Sequence, residues 1–185
     1  MRFNMGCGHN KRPGYVNVDA QAAAQPDQLW DLEEAPWPWP DGCAEEVLFI
    51  HSMEHMGGVP SVFLEIMREL YRICAPDASV VIHAPHPHHN DFISDPTHVR
   101  AITPEMLRLF DKAANDEWQA LGAANSPLAH YTGVNFAITD TQMLLEKDYA
   151  AALREGKLTK EAVDAAVRSR LNVVREVRVT LRAVK

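Results

Sequence analysis

Short apolar runs separated by loops occupy the first half of the chain, and stretches with helical spacing dominate later. Phe3-Asn4-Met5 is a brief strand running into Gly6-Cys7-Gly8. Tyr15-Val16-Asn17-Val18-Asp19 alternates and ends on a carboxylate, which predicts a second strand. Gln28–Leu32 reads as a third, short one. In Pro36-Trp37-Pro38-Trp39-Pro40-Asp41-Gly42 the prolines exclude both a helix and a central strand. The continuous apolar run in Glu46–Ile50 marks a strand covered on both faces. Val59, Val62, Phe63, Ile66, Met67, Leu70 and Ile73 recur at steps of three and four, with Pro60 where a first-turn proline is tolerated; this is the clearest helix. Ser79–Ala84 is another buried strand, stopped by Pro85.

Farther on, Thr103-Pro104-Glu105 is a helix start, a capping hydroxyl followed by proline. Val134, Phe136 and Ile138 alternate as a late strand. Helices are predicted at Gln142–Arg154 and Glu161–Arg170, divided by Gly156, the second capped by Thr159. The chain closes on Val177, Val179, Leu181 and Ala183, alternating with Arg178, Thr180 and Arg182 as a strand with one apolar face. Strand-helix-strand units with buried strands predict an α/β fold, a mostly parallel sheet covered by helices. Only His9–Gly14 separate the glycine turn from the second strand. A parallel crossover that contains a helix takes about a dozen residues or more. An extended return over that stretch spans about 20 Å, enough to pass back along a strand of about 13 Å. The expectation is a loop with at most one helical turn between two parallel strands.

Composition changes this picture little. At 185 residues, 46% hydrophobic and 23% charged, the chain reads as one soluble globular domain over residues 1–185. It has no apolar run of about 18 residues and no basic-then-apolar leader, so the expectation is a cytoplasmic protein with no membrane association. Cys7, Cys43 and Cys74 are widely spaced and form no CxxC, which argues against a disulfide framework or a zinc knuckle. A net charge of -7 argues against a general nucleic-acid binder. The basic residues Arg168, Arg170, Arg175, Arg178, Arg182 and Lys185 read as a solvated edge or helix face.

Candidate chemistry begins at Gly6-Cys7-Gly8, since glycine lets a ligand approach the backbone closely. Asp19, at the tip of the next strand, can accept hydrogen bonds from both hydroxyls of a ribose. In nicotinamide-binding folds that acid lies about 20 residues beyond the glycines, after a full helix. The short, Pro13-Gly14-interrupted gap here disfavours a dehydrogenase.

Phe3-Asn4-Met5-Gly6-Cys7-Gly8 followed by Gly14-Tyr15-Val16-Asn17-Val18-Asp19 resembles the opening of small bacterial and phage class I S-adenosylmethionine-dependent methyltransferases of the type 11-like group, with a shortened first crossover. The resemblance continues through Asp31-Leu32, the Pro36–Asp41 loop, Glu46-Val47, and His51-Ser52-Met53-Glu54-His55-Met56. It ends with Asp95-Pro96-Thr97-His98-Val99-Arg100 and Thr103-Pro104-Glu105, covering roughly Arg2 to Phe110 in order. It implies a Rossmann-like, mainly parallel seven-stranded sheet with helices on both faces and a reversed C-terminal strand. It also implies S-adenosyl-L-methionine as cofactor, and methyl transfer to an O, N or C nucleophile on a small-molecule substrate. Gly6, Cys7 and Gly8 would approach the amino-acid end of the cofactor, and Asp19 would hold the ribose. Asp31 and Leu32 would flank the adenine, with His51 and Met53 beside the sulfonium region. The family's glycine pair before the fifth strand is replaced by Ala75-Pro76-Asp77-Ala78.

The segment His83-Ala84-Pro85-His86-Pro87-His88-His89-Asn90-Asp91, continuing to Asp95 and His98, carries imidazoles and carboxylates of the kind that ligate zinc or iron. It lacks a helical HxxxH pair and holds two prolines. The preferred reading is therefore a loop on the substrate side without a metal, in which His88, Asp91 and His98 are the candidate catalytic groups. A non-catalytic S-adenosylmethionine-binding module and a metal-dependent hydrolase built on His83–His98 stand as alternatives. Trp37 and Trp39 read as covering the core edge in preference to stacking on a substrate, and Cys7 as a small turn residue.

Overall fold

In a computed structural model that describes residues 1–185, the strands are β1 (Arg2–Met5), β2 (Val16–Asp19), β3 (Gln28–Leu29), β4 (Ala44–Ile50), β5 (Cys74–Pro85), β6 (Phe136–Leu145) and β7 (Val174–Ala183). They form one seven-stranded sheet in the order β3-β2-β1-β4-β5-β7-β6. The first five are parallel, and β7 runs antiparallel between β5 and β6. This is the Rossmann-like α/β sheet with a reversed last strand that the sequence implied. Seven α-helices pack around it: α1 (Pro60–Ile73), α2 (Asn90–Ile93), α3 (Pro104–Arg108), α4 (Lys112–Ala120), α5 (Leu128–Thr132), α6 (Lys147–Arg154) and α7 (Lys160–Ser169).

The first crossover is a loop, as its length required. Phe3 pairs with Val16 and Met5 with Val18 in parallel register, and the connection contains turns but no helix. Where a crossover helix would bury apolar side chains, the strands carry Asn4 and Asn17, both almost fully buried. Asn4 Nδ2 donates to Asn17 Oδ1 (2.9 Å) and to the Asn10 carbonyl (3.0 Å). Arg12 N donates to Asn17 Oδ1 (2.7 Å), and Asn17 Nδ2 donates to Asp27 Oδ2 (2.6 Å). Amide side chains thus satisfy the backbone of an irregular loop that would otherwise lie unpaired on the sheet.

A second loop covers the strands at Phe3. Trp39 packs on Phe3 with ring centroids 5.0 Å apart, and Trp37 meets Trp39 edge-on at 5.6 Å. Both indoles are buried, which fits their reading as core cover. Two residues of α1 pin this loop. The Glu69 carboxylate accepts from Trp37 N (2.5 Å), and the Arg72 guanidinium donates to the carbonyls of Trp37 (3.0 Å) and Trp39 (2.8 Å) and to Glu69 and Asp41. Phe63 of α1 meets Phe110 at 6.1 Å, and Tyr71 meets Phe136 of β6 at 5.3 Å. The apolar face of α1 thereby joins the sheet to the helices that follow β5.

Three sequence-based boundaries change, the first at β3, which ends at Leu29 and not at Leu32. Gln142–Leu145, expected at the start of a helix, extends β6, with Gln142 opposite Arg178 and Leu144 opposite Glu176; α6 begins only at Lys147. Pairing with the long β7 overrides a helical preference that local composition alone expressed. β5 likewise begins at Cys74 and not at Ser79. Cys74 pairs with Ala44, and the register then shifts before Ser79 meets Glu46. Asp77 adopts a left-handed φ of 62° in that irregularity. No helix of the chain is long and apolar enough to cross a membrane.

Candidate active site

Most of the candidate groups gather at the carboxyl edge of the parallel strands, where open α/β sheets bind ligands. Gly6 follows β1, Asp19 ends β2, Trp30–Glu33 follow β3 and His51–Met56 follow β4. Because β7 is reversed, it starts at this same edge: Pro85 pairs with Glu176 and His83 with Arg178. Two adjoining clefts result. One, of about 490 Å³, is lined by the Gly6/Gly8 turn, Asp19, Trp30 to Glu33, and the 51–56 segment. The other, of about 410 Å³, has a wholly polar lining of His51, Glu54, His55, Asp91, His98, Arg175 and Glu176, besides Pro85. His51 and His55 belong to both.

In the first cleft Gly6 has φ +64°, and a Cβ there would lie 2.5 Å from Ser52 Cβ. The Ser52 hydroxyl donates to the Met5 carbonyl at 2.8 Å, tying the ends of β1 and β4 together beneath the turn. Asp19 Oδ2 accepts from Gly8 N (2.7 Å) and Oδ1 from Gln21 N (2.8 Å). Each carboxylate oxygen keeps a lone pair for a further donor. Asp31 caps its own turn through Glu33 N (2.9 Å), and Leu32 is a buried apolar wall beside it. A glycine cradle, a strand-tip carboxylate and an apolar wall fit a nucleoside with an amino-acid tail, so the residues present suit S-adenosylmethionine.

Two residues expected in this cleft are elsewhere. Met53 is fully buried in the core, because Met53–His55 form a single 3-10 turn that sends Met53 inward; Met56 lines the cleft in its place. Cys7 contributes backbone to the turn, but its side chain is buried toward the first-crossover loop with Asn4, Asn10, Lys11 and Arg12. Burial and the nearby Asp19 carboxylate push its thiol pKa up, so it stays protonated and inert.

The polar cleft centres on His51, whose backbone sits at φ +53°. Its Nε2 lies 2.8 Å from Glu176 Oε2, and its Nδ1 lies 3.7 Å from Glu54 Oε1. The carboxylate of Glu54, joined by that of Glu176, raises its pKa against the opposing effect of burial. Arg178 also pairs with Glu176, whose own pKa is lowered by Arg178 and His51 despite its burial. Of the groups named from the sequence, Asp91 and His98 line this cleft. His88 does not. It is exposed, in a turn closed by a bond from His89 N to the His86 carbonyl, and its own carbonyl accepts from Asn172 N at 2.9 Å. His83 and His86 have lowered pKa values, chiefly from burial. Sequence reasoning missed Glu54, His55, Arg175 and Glu176 as site members. For the last two the only signal is the pairing of a reversed strand with β5.

No protein-family model matches the sequence, and no curated protein matches it. The structure resembles solved ones. A SAM-dependent methyltransferase from Archaeoglobus fulgidus aligns at a TM-score of 0.63 and 18% identity, over 98% of this chain and 85% of that one. A SAM-dependent methyltransferase from Methanosarcina mazei aligns at 0.58 and 10% identity, over 99% and 92%. The cyclase SpnF aligns at 0.52 and 13% identity, over 99% and 74%. Strand order, the reversed β7 and these likenesses agree: the chain has the class I S-adenosylmethionine-dependent methyltransferase fold.

Proposed function

We propose that the protein binds S-adenosylmethionine in the Gly6–Met56 cleft and transfers its methyl group to a polar small molecule held in the adjoining cleft. The observation that carries this reading is the shared wall: His51 and His55 border both spaces, so a donor and an acceptor meet there. Gly6 and Gly8 admit the amino-acid end, Asp19 receives the ribose hydroxyls, and Asp31 and Leu32 flank the adenine. The cofactor supplies an electrophilic methyl on a sulfonium.

Alignment of acceptor and methyl supplies much of the rate, so few side chains need act chemically. His51 is the group placed to take a proton from an acceptor O–H or N–H, with Glu176 positioning its ring. Asp91, His98 and Arg175 line the acceptor side.

Calorimetric titration with S-adenosylhomocysteine tests the cofactor half, and absence of binding would refute the proposal. For the second half, S-adenosylhomocysteine release is followed with fractionated metabolite extract. His51→Asn suits the left-handed backbone and should lower turnover by about 10²- to 10⁴-fold with cofactor affinity retained. His88→Ala should leave turnover unchanged.

A further inference from the structure

Glu54 is 1% exposed, lines the polar cleft, and has no hydrogen-bond partner for either carboxylate oxygen. A buried carboxylate in this state is strongly disfavoured unless a cation or water meets it. The nearest titratable nitrogen, His51 Nδ1, lies beyond hydrogen-bond distance at 3.7 Å.

Beside Glu54 stand two histidines whose protons are already committed. His98 Nδ1 is 2.9 Å from the Phe92 carbonyl, which can only accept, so Nδ1 carries the hydrogen and Nε2 presents a lone pair. His55 Nδ1 is 2.9 Å from Thr97 Oγ1, and that hydroxyl gives its own proton to Asp95 Oδ1 at 2.6 Å. His55 therefore also donates from Nδ1 and keeps Nε2 free. A histidine held in this way, with one nitrogen donating to a carbonyl or a carboxylate-linked group, is the arrangement seen at metal ligands. The two segments are locked together by backbone bonds from Val99 N (2.9 Å) and Arg100 N (3.1 Å) to the Glu54 carbonyl. One candidate ligand atom from each of Glu54, His55 and His98 lies within 4.8 Å of the other two. Tetrahedral coordination with bonds of about 2.1 Å needs roughly 3.4 Å between ligand atoms, a closure small side-chain rotations supply. The rest of the cleft suits a dication, since beyond the three ligands its lining holds the carboxylates of Asp91 and Glu176 against the single guanidinium of Arg175.

We infer that Glu54, His55 and His98 form a binding site for one divalent transition-metal ion of borderline softness, such as zinc or cobalt. Two imidazole nitrogens and one carboxylate oxygen leave coordination positions open toward the cleft. Resting on the proposed function, this deepens it: the open positions would take an oxygen of the methyl acceptor and make its proton easier to lose, beside His51. The sequence alone pointed away from a metal because it offered no helical HxxxH pair. The ligands come instead from a 3-10 turn after β4 and a loop after β5.

The test uses the full chain, stripped with chelator and titrated with cobalt(II) while visible absorption is recorded. Independent calorimetry with S-adenosylhomocysteine is run on the same samples. The expected result is about one equivalent of cobalt with the intense visible bands of a four-coordinate site, displaced by zinc. Glu54→Gln, which keeps the buried shape, and His98→Asn should each abolish the bands while retaining S-adenosylhomocysteine affinity. Thr97→Val, which removes the acceptor behind His55 together with that hydroxyl's bond to Asp95, should weaken cobalt about tenfold or more. Cobalt binding that survives in folded Glu54→Gln and His98→Asn would overturn the site, as would no binding by the wild type. If the wild type binds S-adenosylhomocysteine but not cobalt, the metal site falls and the cofactor reading stands; the reverse result separates them the other way.

Discussion

Replacing Asp19 with asparagine is the most direct probe of the cofactor cleft. The carboxylate accepts from Gly8 N through one oxygen and from Gln21 N through the other, at 2.7 and 2.8 Å. An amide has a single oxygen, so one of those N–H groups would face an NH2 group, donor against donor. The substitution therefore loosens the glycine turn and removes an acceptor for the ribose, with little change in volume. Hydrogen bonds to a charged group are worth about 1.5–3 kcal/mol, and each 1.4 kcal/mol is about tenfold in affinity. Asp19→Asn should thus weaken S-adenosylhomocysteine binding by roughly ten- to a hundredfold. Since Asp19 is half-exposed, water can hydrate the orphaned N–H, and the thermal midpoint should fall by only a few degrees or less. Calorimetry gives the first number and circular dichroism melting the second. Unchanged affinity in a folded variant would show that the strand-tip carboxylate does not hold the ligand, and the assignment of this cleft would collapse with it.

Gly6→Ala should both destabilise the fold and impair binding. The left-handed backbone costs a non-glycine residue about 1–2 kcal/mol, and the new Cβ would sit 2.5 Å from Ser52 Cβ, anchored by its bond to Met5. A melting curve superimposable on the wild type would contradict this. Glu69→Gln should lower stability at neutral pH by about 1–3 kcal/mol, the cost of losing a charged acceptor. The pH dependence has a definite sign. Arg72, helped by Trp37 N–H, holds the Glu69 carboxyl below its ordinary value against the effect of burial. Its stabilisation is therefore complete above the unfolded carboxyl pKa of about 4.3 and is lost as pH falls through the lower folded value. The gap in melting temperature between wild type and variant should narrow below about pH 4; a gap independent of pH would refute the pairing.

Features encoded within a few residues were legible in the sequence. The glycine turn with its strand-tip Asp19, the length limit on the first crossover, Pro60 at the start of α1 and Thr103 as a cap each depend on local geometry. The cap is realised by a bond from Met106 N to Thr103 Oγ1 at 3.1 Å. What escaped depends on partners far along the chain. Gln142–Leu145 reads as helix until β7 is laid beside it, and Glu176 carries no local signal until the reversed strand brings it to His51 across 125 positions. Met53 and Met56 differ only in where a 3-10 turn points them, which no periodicity encodes. Glu69 and Arg72 stand among the polar positions of α1, yet they clamp the tryptophan loop.

The two clefts are built from very different stretches of chain. All the groups lining the first lie between Gly6 and Met56, whereas the second draws on residues as distant as Arg175 and Glu176. An insertion, a loop exchange or a drifted sequence after β5 can thus remodel what the polar cleft accepts while the glycine cradle and Asp19 keep their surroundings. Only His51 and His55 answer to both sides, so acceptor selectivity can be re-engineered through the later segments as long as those two histidines, and the Glu176 and His98 side chains that work with them, are left in place.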